Sequence, residues 1–504
     1  MNQIFKMGKN FFESFNPGEG ATMNSVKTSK FKSVQSQIII IGGGGAGLAA
    51  ALTAAEKGGR VVVLEKRRIL GGNTNLSYVM FGAETPFQKR MNINVPRDFA
   101  FKLAMGYAHW KTDPRIVRAF VDKSGDTIRW LEEKGIEFEH MPNFFPDHVP
   151  RSFQIVKGGG AVMTKILAKE CKDLGVQFFY QTAAKKILTN KKREVTGVLA
   201  IGKEKKVTIP GKSVIIATGG YAGNKSLMKK YCPTYSDDLV QFGAPISVGD
   251  GLRMATGVGA ATEGLGLIQL IGPRFATSSY IAAIVVEPNT IWLNKRGERF
   301  ADESLSFHWP EAGNALARQP GKICYNVFDE KIKQIFMTEG VKRGWIKYPT
   351  GTKMTELDKE MRGQLSKGEI KISDSWEEIA KWIGVAPQVL KSTIDEYNGF
   401  CDQRHDSTFA KDPKFLIPVR TPPFYALKCH QGFHTTVGGI KINQHMEVLD
   451  KHDDPIFGLY AAGSDTGGWE GDTYCLDLSG STFAFAISSG RIAGENALRY
   501  ALGK

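Results

Sequence analysis

The cysteines of this 504-residue chain are not grouped: Cys171, Cys232, Cys324, Cys401, Cys429 and Cys475 are scattered, with no C-x-x-C pair. That spacing argues against a bound iron–sulfur cluster or a metal site of the zinc type. No apolar run reaches the ~18 residues that a membrane span requires, so no integral membrane segment is expected. No histidine precedes His109. Residues 1–35 have no continuous apolar stretch before a small-residue cleavage site and no twin-arginine pair, which makes the cytoplasm the expected location. That stretch carries Phe5, Phe11, Phe12 and Phe15 and then turns to glycine, serine and lysine, and it reads as a mobile N-terminal arm. Acid is scarce relative to base: 51 Asp and Glu against 66 Lys and Arg give a formal charge of +15. Such a charge points to an anionic partner or substrate. No basic run is interleaved with aromatics, and the lysines between 330 and 415 are spread out, so a solvated basic face is expected, not nucleic-acid binding.

What is present is concentrated between residues 38 and 66, IIIIGGGGAGLAAALTAAEKGGRVVVLEK. The four isoleucines read as a buried parallel strand. Gly42, Gly44 and Gly47 follow in the G-x-G-x-x-G pattern, with Gly45 and Ala46 completing the loop. The first glycine permits a tight turn, the second lets the backbone approach a pyrophosphate, and the third lets a helix pack on the strand. Residues 48–57 read as an alanine-rich helix whose N-terminal N–H groups and dipole favour phosphate. A second strand at 61–64 leads into Glu65 and Lys66. The Glu65 carboxylate stands where it can accept hydrogen bonds from both ribose hydroxyls of an adenosine half, which argues against a 2′-phosphate. Gly71, Gly72 and Asn73 follow at once, as in flavoproteins with a second glycine pair along the pyrophosphate. The cofactor read from this is FAD.

Length suits two or three domains. Residues 97–135 read as two helices broken at Asp113-Pro114, 156–175 as a glycine turn and helix, 176–180 as a strand, and 194–209 as a β-meander. The last leads into VIIATGG at 214–220, a second parallel strand whose end, Thr218, Gly219 and Gly220, lies over the cofactor. From about 270 to 424 the pattern changes to strand pairs, at 284–286 and 290–294, followed by charged, tryptophan-containing helices. Residues 456–463 then read as a final strand, and 481–502 as a long C-terminal helix. The expected fold class is α/β, a Rossmann-like FAD-binding domain (36–269 and 425–504) with an inserted α+β cap (270–424).

The stretches GGGGAGLAAA, LEKRRILGGN, VIIATGGYAGN, VGDGLRMA, WLNKRGERFADE, HTTVGG and GLYAAGSDTGG resemble the flavoprotein family of fumarate reductase, succinate dehydrogenase and 3-ketosteroid dehydrogenase, over residues 36–500. The resemblance implies a substrate held between cap and isoalloxazine, and hydride transfer at flavin N5 to or from a carbon–carbon bond beside an electron-withdrawing group. It adds cofactor contacts from Asp250 in VGDG, from Gly463, and from Asp465, which stands beside Ser464 where the family has an acid holding the ribityl chain. The start of the last helix, Gly480, Ser481 and Thr482, is expected to stabilise the N1–C2=O edge of reduced flavin. Members that tether FAD use a histidine shortly after the acid strand, so a non-covalent flavin is expected here.

The departures from that family narrow the chemistry. Ala282 and Ala283 stand where the dicarboxylate-reducing branch has a Thr-Glu pair, and residues 307–309 where it has an arginine that acts as the acid. Thr435 replaces a carboxylate-binding histidine, with His434 kept beside it, and Asp477 falls at or near a further arginine. A dicarboxylate is therefore expected to find no cationic clamp, having lost contacts worth ~1.5 to 3 kcal/mol each. Phe307, Trp309, Tyr280, Trp469 and Tyr474 are expected to make an aromatic, apolar cleft instead. The ketosteroid branch uses a late tyrosine to polarise or protonate an enone, and Tyr474 sits near the matching place, where it reads equally as acid or as packing. His308 and His434 read first as structural, although either can supply a proton; with Tyr280 they complete the catalytic candidates. The expected function is reduction of an activated C=C bond in a largely apolar enone or enoate, such as a ketosteroid or an aryl enoate. A desaturating dehydrogenase and a flavin electron-transfer subunit are the alternatives. The implied partners are a small-molecule substrate and an external electron donor, either an acidic redox protein or reduced nicotinamide.

Overall fold

The computed structural model describes residues 36–139, 151–202, 205–275, 280–344 and 347–504; the arm expected at 1–35 lies outside them. The strand Ile38–Ile41 pairs in parallel with Val61–Leu64 on one side and Ser213–Ile216 on the other, Ile38 facing Val61 and Ser213. Every residue of these three strands is buried, because a parallel sheet covered on both faces has no solvated side. Gln177–Phe179 extends the sheet beyond Val61–Leu64, and Pro455–Ala461 extends it beyond Ser213–Ile216, with Glu447–Leu449 as the antiparallel edge.

The helix after the first strand, Gly45–Glu56, is buried along all but its last residue and packs against the C-terminal helix Ser481–Ala501. A Cβ on Gly47 would lie 1.9 Å from the Gly42 carbonyl oxygen, so only glycine lets this helix sit so close to its strand. The break at residues 113–114 is a capped helix start: Asp113 accepts the Arg115 N–H at 2.8 Å ahead of the helix Pro114–Glu133, with proline in the first turn, where its missing N–H costs nothing. The meander is formed by Thr182–Thr189, Val195–Gly202 and Lys205–Pro210.

A second sheet is organised on one long strand, Phe424–Thr436, which pairs with Ile323–Asp329, Ile268–Arg274, Ile370–Ser373 and Val240–Gln241. Its apolar core runs from Phe275 to Cys429 and is separate from the core around the first sheet. Residues from Phe424 to His430 pair with Ile323–Asp329. The strand expected at 284–286 is not formed. Tyr280–Ile284 is helical, and Ile291–Leu293 pairs with Ile323–Asp329. The β-branched run misled because Ile281 and Ile284 are spaced for one buried helical face. The Val285 carbonyl is satisfied by Trp292 Nε1 and Asn326 Nδ2, both at 3.2 Å.

The stretch WLNKRGERFADE, part of the resemblance above, is an internal tie of this cap. Arg299 donates to both oxygens of Glu303 (3.1 and 3.0 Å) and to Asp406 (2.9 Å), while the fully buried Lys411 donates to Glu303 at 3.0 Å. Two cations and two carboxylates neutralise one another where no water reaches.

Candidate active site

The carboxyl ends of the three central strands open on one cavity. Its wall contains Gly42, Gly44, Gly45, Ala46, Glu65, Lys66, Gly71, Gly72, Asn73, Thr218, Gly219, Asp250 and Gly463. Gly47 and Gly220 lie behind this wall. Sequence reading missed Thr182 to Ala184, Ile246, Ser247 and Ser464, which come from the meander and from loops without a glycine signature. A Cβ on Gly44 would meet nothing nearer than the Gly71 carbonyl oxygen at 3.8 Å. The space a side chain would fill therefore belongs to the cavity, which is the shape a diphosphate lying across the backbone needs.

Several polar candidates already have partners within the protein. Glu65 accepts the Gly43 N–H at 2.9 Å and the Arg67 N–H at 2.8 Å, which fixes its carboxylate at the cavity and leaves other lone pairs for a ligand hydroxyl. Lys66 donates to Asp250 and to the Ile246 carbonyl, both at 2.8 Å, so these two candidates form one ion pair at the rim. Asn73 accepts the Ala244 N–H. Asp465 is turned away from the cavity wall. It accepts from the Thr218 hydroxyl (2.8 Å), from Gly219 N–H (2.9 Å), from Gly220 N–H (3.1 Å) and from Thr218 N–H. Four donors fill the carboxylate's capacity, so Asp465 shapes the 218–220 turn, and Ser464 is the residue that lines the cavity.

The helix Ser481–Ala501 leads from Ala486 on the cavity wall back to a cluster at the junction with the cap. There the Gly480 N–H donates to the Tyr474 hydroxyl at 2.9 Å, and Ser481 Oγ donates to Glu470 at 3.1 Å. Tyr474 packs with Phe153, Leu476 and Trp309. Burial pushes the Tyr474 phenol up to about 12 and the Glu470 carboxyl up to about 8, so both hold a proton at neutral pH.

Trp309 also lies 5.2 Å from the Arg274 guanidinium and 5.0 Å from that of Arg343. Both arginines are buried. Against the expectation of no cationic clamp, a cation stands beside this segment: residues 307–309 hold no arginine, but Arg343 donates Nε–H to the neighbouring Ser306 carbonyl at 2.7 Å. A guanidinium from another part of the cap thus reaches the same segment. No motif marks it, because the two positions are separated in sequence and meet only in the fold.

The remaining candidates separate. His434 sits against Phe242, and burial together with the Arg274 charge lowers its imidazole to about 4. It is neutral at pH 7 and is not a source of an imidazolium proton. His308 caps the helix Trp309–Ala317, its carbonyl accepting the Ala312 N–H at 2.9 Å. Tyr280 is turned to the cap, paired with Tyr348 at 5.1 Å, and its N–H donates to Glu360. Trp469 stacks on Phe485 at 4.2 Å in the main core, and Phe307 packs on Phe415. Of the aromatic set, Tyr474 and Trp309 are the two brought together.

A family model described as an FAD binding domain matches residues 37–473. The chain belongs to that flavoprotein family. It is 33% identical over 451 residues to a vinyl phenol reductase of Lactiplantibacillus plantarum, a match covering 86% of this chain and 90% of the relative. Among solved structures, a flavocytochrome c3 fumarate reductase in its open conformation aligns with TM-score 0.72 and 28% identity, over 93% of this chain and 79% of that one. A 3-ketosteroid Δ1-dehydrogenase from Sterolibacterium denitrificans shares the fold, with TM-score 0.76 and 18% identity, over 94% of this chain and all of the other. The flavoprotein is an FAD-dependent oxidoreductase of the type that acts on carbon–carbon bonds. Its cavity fits that cofactor, with an open backbone cradle at Gly44 and a fixed carboxylate at Glu65 at the end of the second strand. Among the described residues no helix is long and apolar enough to cross a membrane.

Proposed function

We propose that this flavoprotein reduces the C=C bond of a conjugated, aromatic alkene held against Trp309 and Tyr474. The supporting observation is the junction itself. A protonated phenol, an aromatic surface and a helix N-terminus meet at one point, on the same helix whose Ala486 lines the cofactor cavity. FAD when bound supplies the hydride, from N5. The chain supplies the rest. Trp309 offers a flat surface to the substrate. Tyr474, kept neutral by burial, donates its hydroxyl proton to the carbon opposite the hydride. Ser481 Oγ lies between that hydroxyl and Glu470, so once its hydroxyl turns to the phenolate it can give up its proton there and take one from Glu470, which is still protonated at neutral pH. The N–H groups opening the helix Ser481–Ala501 stabilise negative charge on the reduced cofactor.

The aryl alkene class is carried over from the relative named vinyl phenol reductase. FAD is held without a covalent tether, as no histidine precedes His109. The charge of +15 favours an acidic redox protein or another anionic donor as the electron source. The test is anaerobic reoxidation of dithionite-reduced holoprotein by 4-vinylphenol, cinnamate, a ketosteroid enone and fumarate. Rapid return of the oxidised flavin spectrum with an aryl alkene is the expected result. Failure of all four overturns the reading.

A further inference from the structure

We propose that Tyr107 is the inlet of a proton relay that refills Glu470 from solvent, with Asp477 and Glu311 at its outer end. This rests on the reductase reading above and deepens it by naming how the proton store of that site is replenished.

Each alkene reduced takes one proton from the acid side of the site, and that side is sealed. Tyr474 is 4% exposed, Ser481 2% and Glu470 7%. Glu470 is the last member of the chain. One of its oxygens accepts the Ser481 hydroxyl at 3.1 Å, which leads inward to Tyr474, and the other accepts the Cys475 N–H at 3.3 Å. A backbone N–H does not hand its proton on. The Cys475 thiol is no route either, since burial raises it well above its ordinary value and S–H is a weak donor.

The helix Arg97–Tyr107 ends on this loop. It packs against the turn Leu476–Leu478, and a Cβ on Gly471 would lie 2.8 Å from that of Ala108, so Tyr107 and Ala108 abut the segment that carries Glu470. The Tyr107 ring is half-buried, yet its hydroxyl oxygen is buried and has no hydrogen-bond partner among the described residues. A hydroxyl so placed is met by an ordered water. Burial first, and then the neighbouring Glu311, Cys475, Asp477 and Glu470, hold this phenol well above its ordinary value. The same three carboxyl groups supply the polar partners that such a water needs. Glu311 and Asp477 are half-buried and so reach solvent, which Glu470 does not.

The transfers balance. As the Tyr474 O–H bond breaks and a C–H bond forms on the substrate, Ser481 gives its proton to the phenolate and takes one from Glu470. The Glu470 carboxylate then receives a proton through Tyr107, whose oxygen takes one from the water held with Asp477 and Glu311 as it gives up its own. One proton enters from solvent for each hydride delivered, and Tyr107 never has to ionise.

The test follows the Glu470 carboxyl proton itself, by infrared spectroscopy of oxidised FAD holoprotein transferred rapidly into D2O at neutral pH. The protonated-carboxyl C=O band that Glu470→Gln abolishes belongs to this group, and its shift on deuteration reports exchange with solvent. Tyr107→Phe, which removes only the oxygen, should slow that exchange ~tenfold or more with flavin content unchanged. The double variant Asp477→Asn, Glu311→Gln should slow it too, and reads the route from its outer end if Tyr107→Phe does not fold. A wild-type exchange rate in either folded holoprotein overturns the proposal, as does a wild-type spectrum with no band that depends on Glu470. Steady-state turnover by Tyr107→Phe should fall further than the first flavin reoxidation, because the first turnover uses the proton already stored. An equal loss in both marks a structural effect alone and overturns the relay. No substrate enters the exchange measurement, so it succeeds or fails independently of the reoxidation test of the reductase reading.

Discussion

The Asp465 carboxylate accepts the Thr218 hydroxyl at 2.8 Å and so ties the ends of two neighbouring parallel strands, Pro455–Ala461 and Ser213–Ile216, across 247 positions of sequence. The same carboxylate takes the N–H groups of Gly219 and Gly220. Replacing it leaves several buried donors unmet, at roughly 1–3 kcal/mol each. Asp465→Ala should therefore lose at least about 3 kcal/mol of stability by this reckoning, together with FAD affinity, because Thr218 and Gly219 line the cavity. Urea denaturation with flavin fluorescence measures both. A variant with wild-type stability would show that the tie is dispensable.

Glu65→Ala should weaken FAD binding by ~1.5 to 3 kcal/mol, the worth of a charged hydrogen-bond acceptor, with occupancy restored by excess cofactor. It also removes the acceptor of the Gly43 and Arg67 N–H groups. Flavin retention after extensive dialysis is the measurement, and full occupancy in the variant would count against the assignment.

The cap ion cluster should matter for stability and not for the cofactor. Glu303→Gln leaves the fully buried Lys411 without its counter-charge, at a cost of about 3–5 kcal/mol. Unfolding followed by cap tryptophan fluorescence should show the loss, with FAD affinity close to wild type. A stable variant that sheds FAD would reverse this division of roles.

The Glu470 carboxyl, at about 8 against an ordinary 4.5, keeps in the folded state a proton that the unfolded chain releases. Folded protein therefore binds more protons between these values, and stability falls as pH rises from about 4.5 to 8, then levels. Burial raises Glu287 to about 7 in the same sense, so the wild-type decline has more than one source. Glu470→Gln should be stabilised relative to wild type progressively across that window. Melting temperatures of the two proteins at several pH values would test it; parallel curves would refute the assignment.

Tyr474→Phe should slow turnover of the true substrate by ~10²-fold or more if the phenol is the acid. The variant also costs the Gly480 N–H its acceptor, so flavin content must be measured beside the rate. A wild-type rate would pass the role to another donor, and the neutral His434 is not a strong one.

Much of the cofactor half was legible along the chain, because its determinants are local. Four isoleucines before a glycine loop, an alanine-rich helix and an acid at the end of the next strand each act within a few residues, through strand periodicity, backbone clearance and helix-end dipoles. The strand at 284–286 failed for a related reason: the same apolar run serves a helical face as well as a strand, and only its packing in the cap core chose between them. The resemblance placed Asp465 on the cofactor, whereas the fold turns it to the 218–220 turn, a partner 247 positions away. The cap face was decided by tertiary structure alone. Residues 307–309 hold no arginine, but a charge can be delivered to a point in space from any element that passes it. Arg343, 37 residues from Ser306, and Arg274 at a strand end meet over Trp309 because the cap folds them there. Sequence patterns encode what neighbouring residues do to one backbone. Electrostatics in a buried site depends on distance through space, and that distance exists only once the chain has folded.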